Sequence, residues 1–400
     1  MDKVKTQRMI CIFLMLVLGS AGCAIAPTKE DIARNRVKEL KSHDPEIRRN
    51  AAAELGKLGV PETVTALAEA LKDPNPRVRR NAAFSLSQFG EKSRPAMQAL
   101  KDAMEIETDS WAILNMASAL EVLKVNRKEM VPALRRVIQG RGSPADLEFR
   151  FNAALFLYGS VDPMEVFPVF LESIGTEAGK STTNTPFWMV SDLVKTQDKR
   201  FIKPLLDALR QGNPAQRAAA AVFLPQFKPL PREVGPALII ALRDPMAEVR
   251  AGAARGLNNV GTNAGLPKQA VQPLVEALKD PDENVRESAA GALATGRAYT
   301  KVVVPSLIGA LHDPRPKVRV SAAASIRLLG PAAREAVPSL IKTLDQDKER
   351  EVLEEACRAL SAMGPFAKEA IPSLKHALQS PDPYVRNWAS FALEKIDPKK

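Results

Sequence analysis

The sequence predicts an all-α protein, an α-solenoid of about eleven tandem two-helix repeats. A short motif recurs along the chain at intervals of about 31–37 residues. Prolines interleave with this motif, and each opens a stretch whose apolar residues recur at helical spacing. Hydrophobic residues make up 45% of the chain but aromatic residues only 5%. Alanine and leucine must therefore supply most of the apolar surface, which suits closely packed helices.

The recurring motif joins an Asp-Pro turn to a helix with a marker arginine and an Ala-Ala pair. Residues 73–86 and 313–326 contain the whole motif, and residues 280–290 repeat its main features. Ile113 and Leu353 replace the arginine in two repeats. Because the arginines recur with the repeat itself, each is predicted to pair with a turn aspartate of its own or a neighbouring repeat, rather than to form a phosphate-binding stripe. This predicted ladder consists of Arg48, Arg79, Arg150, Arg217, Arg250, Arg286, Arg319 and Arg386.

Each repeat is predicted to contain a first helix, called A, and a second helix, called B. The prolines are placed in the first turn of the A helices, where their missing N–H has no intrahelical partner to lose. Asn75, Asp282 and Asp382 are expected to be N-caps of B helices. Neither helix can bury its apolar face alone, so the repeats must stack. Left-handed C-caps are expected at Gly59, Gly90, Gly330 and Gly364.

These residues resemble HEAT repeats, in particular the short bacterial version also found in phycobilisome lyases. The resemblance covers residues 28–396, from a capping box at Thr28–Asp31 to a last helix over 383–396, and leaves 397–400 as a tail. It implies a solenoid that binds other molecules. No catalytic, cofactor-binding or metal-binding residue is predicted, because the histidines lie in distant repeats and no metal or nucleophile motif occurs.

The N-terminus predicts export from the cytoplasm. Basic residues precede an apolar stretch at residues 9–18, which is shorter than the ~20 residues needed to span a bilayer. Residues 18–23 resemble a bacterial lipoprotein signal, in which a cysteine after small residues becomes the lipidated N-terminus. The resemblance implies a signal peptide over residues 1–22, lipidation of Cys23, and a short linker over 23–27.

Two other interpretations of the leader stay open: cleavage to a soluble secreted protein, and an uncleaved leader that acts as an anchor. Ser20 stands where lipoprotein signals usually carry leucine, and Ala24–Ala26 forms an A-x-A cleavage site. Cleavage there would leave Pro27 as the first residue, and proline usually blocks such cleavage. The lipoprotein reading predicts a protein of the bacterial cell envelope, lipid-anchored to a membrane and facing the periplasm or the cell surface.

The repeat pattern weakens over about residues 109–201, and aromatic residues gather there. In one interpretation they form a partner-binding surface, because exposed aromatic residues favour such sites. In the other, large side chains fill space left by missing alanines. Residues 175–185 are expected to form a loop between helices. The candidate partner-binding residues are Trp111, Phe149, Phe151, Phe187 and Trp188.

The leading hypothesis is a non-catalytic scaffold with an unidentified protein partner and a lipid anchor in a membrane. One alternative is a bilin lyase or chromophore chaperone, because such lyases share the repeat type. Another is nucleic-acid binding through a basic face, since the formal net charge is +11. The basic residues are interleaved with 46 acidic ones, however, which favours a mixed, solvated surface. We therefore expect neither a nucleic acid nor a small-molecule substrate as the ligand.

Overall fold

The computed structural model describes residues 27–140, 144–176 and 185–397. Within these ranges helix dominates and no β-strand occurs, so the predicted all-α solenoid is confirmed. The chain divides into two compact segments. The N-terminal segment extends to Arg141, and the C-terminal segment begins at Gly142.

Helices alternate along the chain, so that odd-numbered helices are A helices and even-numbered helices are B helices. The N-terminal segment contains α1 (Lys29–Glu39), α2 (Pro45–Leu58), α3 (Val64–Ala70), α4 (Pro76–Gln88), α5 (Met97–Ile106), α6 (Ser110–Val122) and α7 (Arg127–Gln139).

The C-terminal segment continues the same alternation. It contains α8 (Pro144–Leu157), α9 (Pro163–Ser173), α10 (Thr185–Lys195), α11 (Ile202–Gln211), α12 (Pro214–Phe223), α13 (Val234–Ala241), α14 (Ala247–Ala264), α15 (Lys268–Ala277), α16 (Glu283–Leu293), α17 (Thr300–Ala310), α18 (Pro316–Leu329), α19 (Val337–Gln346), α20 (Arg350–Met363), α21 (Ile371–Ala377) and α22 (Pro383–Ile396).

Short 3₁₀ helices precede several A helices. They are Pro61–Thr63, Gly90–Ala96, Lys199–Phe201, Arg297–Tyr299, Gly330–Ala336 and Gly364–Ala370. Another, Leu224–Gln226, follows α12.

The predicted N-caps are confirmed. Thr28 and Asp31 form a capping box at the start of α1, where the Thr28 hydroxyl accepts a hydrogen bond from the N–H of Asp31. The side chains of Asn75, Asp282 and Asp382 accept backbone N–H groups at the starts of α4, α16 and α22. Local sequence therefore fixes where these helices begin.

The predicted glycine C-caps are only partly correct. Gly59 ends α2 in the left-handed conformation, with φ 68° and ψ 24°. Gly330 and Gly364 also have positive φ, but their ψ angles are −141° and −135°. The chain therefore turns directly into a 3₁₀ helix at these two residues instead of ending in a left-handed cap.

The placement of every opening proline in a first turn is wrong for four A helices. Pro132, Pro168, Pro273 and Pro305 lie inside α7, α9, α15 and α17. These helices begin before the proline. α7, for example, starts at Arg127, after an N-cap at Asn126. The cap therefore sets the start of α7, and the helix accommodates the proline beyond its first turn.

Within each segment, most neighbouring B helices pack directly against one another through small residues. The Ser85 hydroxyl of α4 donates to the Ala52 carbonyl of α2 at 2.8 Å, and Ser325 of α18 donates to Ala290 of α16 at 2.8 Å. Gly256 in α14 allows a close backbone approach, because a Cβ atom there would lie 2.4 Å from the Ala221 carbonyl oxygen of α12. Glycine, alanine and serine thus allow the B-helix layer to form.

Candidate functional site

Six of the ladder arginines link one repeat to the next through similar contacts. In Arg250, Nε and Nη2 donate to the carboxylate of Asp280 at 2.7 and 2.8 Å. Its Nη1 donates to the carbonyls of Asp244 and Pro245, in the turn of its own repeat, at 2.9 and 3.0 Å. This bidentate geometry is the strongest form of an arginine–carboxylate pair.

The same pairing recurs along both segments. Arg48, Arg217, Arg286 and Arg319 pair with Asp73, Asp244, Asp313 and Asp347, and Arg79 pairs with Glu107. Arg150 instead pairs with Glu172 of α9 at 3.0 Å. Among the described residues, Arg386 is hydrogen-bonded only to the carbonyls of Ser380 and Pro381.

The ladder aspartates have lowered pKa values, which keep their carboxylates charged. Burial alone would raise the pKa of Asp280, but hydrogen bonds from Arg250 and from the N–H of Asp282 outweigh it and lower that pKa. The pKa of Asp313 is lowered in the same way, by Arg286 and the N–H of Arg315. The paired arginines therefore carry compensated charge between repeats rather than a free basic stripe.

The predicted partner-binding residues occupy different environments. Trp111 lies on α6 in the N-terminal segment and is exposed, with the Arg80 guanidinium 5.8 Å from its ring centre. The other predicted aromatic residues lie in the C-terminal segment. Trp188, on α10, is 62% exposed, and Phe187 beside it is half-buried, 4.7 Å from the ring of Phe223. Trp111 and Trp188 are the two of the five that present large apolar surface to solvent.

Phe151 is not a surface residue, and its assignment to a partner-binding site is wrong. It is 1% exposed and its ring packs edge to face with Phe170, at 5.8 Å between ring centres. Phe149 is half-buried on the same helix, α8. Phe167 and Phe201 stack nearby at 4.1 Å. Phe151, Phe167, Phe170 and Phe201 therefore fill the interior between weakly conforming repeats, as the second interpretation of this region expects.

Sequence reasoning missed a set of exposed aromatic residues on the last helix. Tyr384, Trp388 and Phe391 follow one another at spacings of four and three residues on α22, so they share one face. Tyr384 is 57% exposed and Phe391 is also exposed, while Trp388 is half-buried. The Trp388 and Phe391 rings are 5.6 Å apart in an edge-to-face arrangement.

Each of these rings lies beside a cation. Arg350 and Arg358 of α20 place their guanidinium carbons 5.4 Å from the Tyr384 ring and 4.7 Å from the Trp388 ring. Lys395 lies 5.4 Å from the Phe391 ring. We call Tyr384, Trp388, Phe391, Lys395, Arg350 and Arg358 the C-terminal aromatic cluster.

Carboxylates hold the two arginines of the cluster in place. Arg350 is within 2.9 Å of Glu351 and 3.4 Å of Glu354, and Arg358 is within 2.9 Å of Glu355. Because these pairs lie on α20 itself, the arginine side chains are positioned before any partner arrives.

The N-terminal segment also exposes aromatic residues on its B helices. Trp111 of α6 and Tyr384 of α22 both stand two residues before the ladder position of their repeat, at Ile113 and Arg386. Phe84 of α4 and Phe391 of α22 both stand five residues after that position, and both are exposed. The two segments thus expose aromatic residues at equivalent places on their B helices.

Two other kinds of site, a metal centre and a membrane-spanning helix, do not occur among the described residues. Across residues 27–140, 144–176 and 185–397, no group of three or more histidine, cysteine and acidic side chains could hold a metal ion. No helix in those ranges is long and apolar enough to cross a membrane. Cys357 is buried, and burial raises the pKa of its thiol to about 12. Cys23, the predicted lipidation site, lies outside the described residues.

The stacked helix pairs and their arginine ladder define a helical-repeat solenoid, a fold that fits a protein-binding scaffold. A family model described as HEAT repeats matches residues 34–121, 202–294, 235–327 and 304–394, which is more than half of the chain. The chain therefore belongs to the HEAT-repeat family.

Two solved structures are similar to this chain. The crystal structure of Kap121p is 15% identical, has a TM-score of 0.51, and aligns with 92% of this chain and 46% of that chain. An engineered protein is 21% identical over 91% of this chain and 98% of its own, with a TM-score of 0.44. The chain thus spans about half the length of Kap121p, and this likeness shows the fold alone. A search of the curated proteins found no match.

Proposed function

We propose that this protein is a non-catalytic scaffold that binds a protein partner through the C-terminal aromatic cluster and is held at a membrane by a lipidated Cys23. The observation that carries the binding proposal is the cluster itself. It combines exposed tyrosine and phenylalanine, a half-buried tryptophan and preset arginines on two adjacent B helices.

These residue types contribute most to protein–protein affinity. Tryptophan, tyrosine and arginine are enriched at binding hot spots, where truncation of one side chain costs about 2 kcal/mol or more. Tyr384 and Phe391 lie on a helix whose buried face packs against α20, so binding would order little of the backbone. Trp111 and Phe84 offer a second surface of the same chemistry in the N-terminal segment.

The anchoring proposal rests on the leader sequence. A basic start, a short apolar stretch and small residues before Cys23 favour lipid attachment and export to the bacterial cell envelope. A single acyl chain binds membranes weakly, so stable attachment requires more than one chain.

Photocrosslinking in cells tests the binding proposal. A photoreactive amino acid at Tyr384 should give a discrete crosslinked partner, whereas the same amino acid at Lys301, an exposed residue of the A helix α17, should not. With that partner purified, Trp388→Ala should weaken binding by about thirtyfold, as expected for a hot-spot residue. Equal crosslinking at both positions, or unchanged affinity in Trp388→Ala, would contradict this assignment.

Metabolic lipid labelling with cell fractionation tests the anchor. The native chain should take up labelled fatty acid and sediment with membranes, and Cys23→Ala should do neither. Cys357→Ala serves as the matched control, because that thiol is buried and should not be lipidated. An unlabelled native chain in the cytoplasmic fraction would refute the anchored scaffold.

The two alternatives from the sequence stay predictions. The carboxylate partners of the ladder arginines weaken the case for a nucleic-acid stripe, since their charge is compensated within the fold. Salt-sensitive DNA binding by the purified protein would revive that case. Covalent attachment of a bilin to an acceptor protein would do the same for the lyase.

A further inference from the structure

An open groove runs along the A-helix layer of the C-terminal segment. It has a volume of about 1010 Å³ and is bounded by the end of α11, by α13 and by α15. Its apolar lining includes Pro236, Ala237, Ile240 and Pro273. None of these residues belongs to the C-terminal aromatic cluster, which lies on B helices.

Ile240 differs from the residues at the same place in three other A helices. It is 75% exposed and stands four residues before the turn aspartate Asp244. The residues at the same place before Asp73, Asp280 and Asp313 are a glutamate, a glutamate and a glycine, namely Glu69, Glu276 and Gly309. An isoleucine that faces solvent lowers the solubility of the protein and adds no contact in the core. Its presence therefore indicates a surface that a binding partner covers.

The groove carries an excess of positive charge. Arg210 and Arg232 line it, are exposed, and form no ion pair with any described residue. Arg243, which also lines it, is 3.9 Å from Glu276, and both side chains are largely exposed. The acidic lining is Glu233 and Asp244, and Asp244 is already held by Arg217 at 2.7 Å. The groove therefore presents uncompensated arginines around an apolar floor.

An irregular stretch of chain opens this surface. Between the 3₁₀ helix that ends at Gln226 and the start of α13 at Val234, the backbone forms no helix. Arg232 and Pro236 also border a second cavity of about 670 Å³, which extends to the residues before α17. The apolar and basic surface is thus long enough for several residues of a bound peptide.

We propose that this groove binds an acidic peptide segment of a partner protein, with an aliphatic side chain packed on Ile240 and carboxylates paired to Arg210 and Arg232. Arginine binds carboxylates through charge-assisted, often bidentate hydrogen bonds. The bound peptide is therefore expected to carry aspartate or glutamate. Rim charges raise the association rate, and the apolar contact supplies affinity. The inference concerns a surface separate from the aromatic cluster and stands whether or not that cluster binds a partner.

A displayed library of random peptides, selected on the purified protein, tests this proposal. Enriched peptides should be rich in aspartate and glutamate and should contain leucine, isoleucine or valine. The double variant Arg210→Glu with Arg232→Glu should bind the leading peptide about a hundredfold more weakly, because each of the two lost charged hydrogen bonds is worth about tenfold. Ile240→Ser should weaken binding by several fold with little salt dependence.

Two controls separate the outcomes. Arg255→Glu reverses an exposed charge on the B helix α14 and should leave binding unchanged, as should Tyr384→Ala in the aromatic cluster. All substituted side chains are exposed, so circular dichroism should show an intact fold. Enrichment of basic or uncharged peptides, no enrichment at all, or equal binding by the groove variants would overturn the proposal.

Discussion

Replacement of Arg250 by alanine removes one complete link of the ladder. The side chain makes two hydrogen bonds to Asp280 and two to the backbone of its own turn. After its removal, the Asp280 carboxylate keeps the N–H of Asp282, at 2.9 Å, as its hydrogen-bond donor. The variant thus leaves a shielded negative charge without its counterion.

The expected loss lies between that of an exposed pair and that of a fully buried one. Side-chain exposure is 15% for Arg250 and 10% for Asp280. Exposed pairs contribute about 0–1 kcal/mol, whereas breaking a buried pair costs about 3–5 kcal/mol. We expect Arg250→Ala to lower the free energy of unfolding by about 2–3 kcal/mol. Arg250→Met with Asp280→Leu should recover much of this loss, because an apolar pair leaves no charge unpaired.

Urea unfolding measures this change, and native-state hydrogen exchange in α14 and α16 localises it. The local measurement matters because stacked repeats can unfold separately. Arg315→Ala is the matched control, since its pair with Glu283 at 2.8 Å is far more exposed and should contribute about 0–0.5 kcal/mol. If Arg250→Ala destabilises the protein no more than Arg315→Ala does, the ladder does not hold the repeats together.

Three further predictions follow from single contacts. Gly256→Ala should lower the free energy of unfolding by about 1–3 kcal/mol, because the added Cβ would lie 2.4 Å from the Ala221 carbonyl oxygen. Gly309→Ala is the control, because a Cβ there meets open space. In the same urea titration it should be neutral or slightly stabilising. In a variant with Cys11 and Cys23 replaced by alanine, a thiol reagent should label Cys357 only after unfolding. The reason is that burial shields the thiol and raises its pKa to about 12. Rapid labelling of the native protein would contradict this. The ladder aspartates have lowered pKa values in the fold, because hydrogen bonds from arginine outweigh the opposing effect of burial. The stability that these charged aspartates contribute is therefore fully present above the unfolded pKa of about 3.9. It is lost as the pH falls through their lower folded pKa values. Melting temperature should therefore drop steeply below about pH 4 in the native protein and less steeply in Arg250→Ala.

The repeat architecture could be predicted because its signals are local. N-cap side chains at Asn75, Asp282 and Asp382 determine where B helices begin, and small residues at fixed spacing determine which faces pack. The opening prolines misled the prediction, since a proline is tolerated inside a helix when a cap upstream, such as Asn126 before Pro132, has already set the start.

The candidate surface could be predicted only in part, because aromatic residues in a sequence do not reveal their exposure. Phe151 and Trp188 belong to the same weakly conforming region, yet one fills the interior and the other faces solvent. On α22, by contrast, the spacing of Tyr384, Trp388 and Phe391 was a readable signal of one shared face. It was overlooked because that repeat keeps its ladder arginine and looks regular.

The sequence also indicates that each ladder arginine pairs with the repeat that follows it. The evidence comes from the repeats that lack the arginine. A ladder arginine pairs with the residue six positions before the ladder position of the next repeat, as Arg319 does with Asp347, six residues before Leu353. Three repeats have Ile113, Trp188 or Leu353 at the ladder position, if α10 is aligned by its first residue. The corresponding residues of the repeats that follow are Pro144, Gln211 and Ser380, and none of them is acidic.

This joint loss has a physical reason. An aspartate left at such a position would be a shielded charge with no counterion, and an arginine left alone would meet no carboxylate, so each is stable only with the other. Asp73, Asp244, Asp280 and Asp313 each follow a repeat that carries the arginine and pair with it. Arg150 is the exception, because Thr182 stands at that place in the sequence of the next repeat and Arg150 pairs with Glu172 of α9 instead. Restoring one partner alone, for example Leu353→Arg, should therefore not stabilise the protein. Leu353→Arg together with Ser380→Asp should bind the last two repeats more tightly, which hydrogen exchange in α22 would measure.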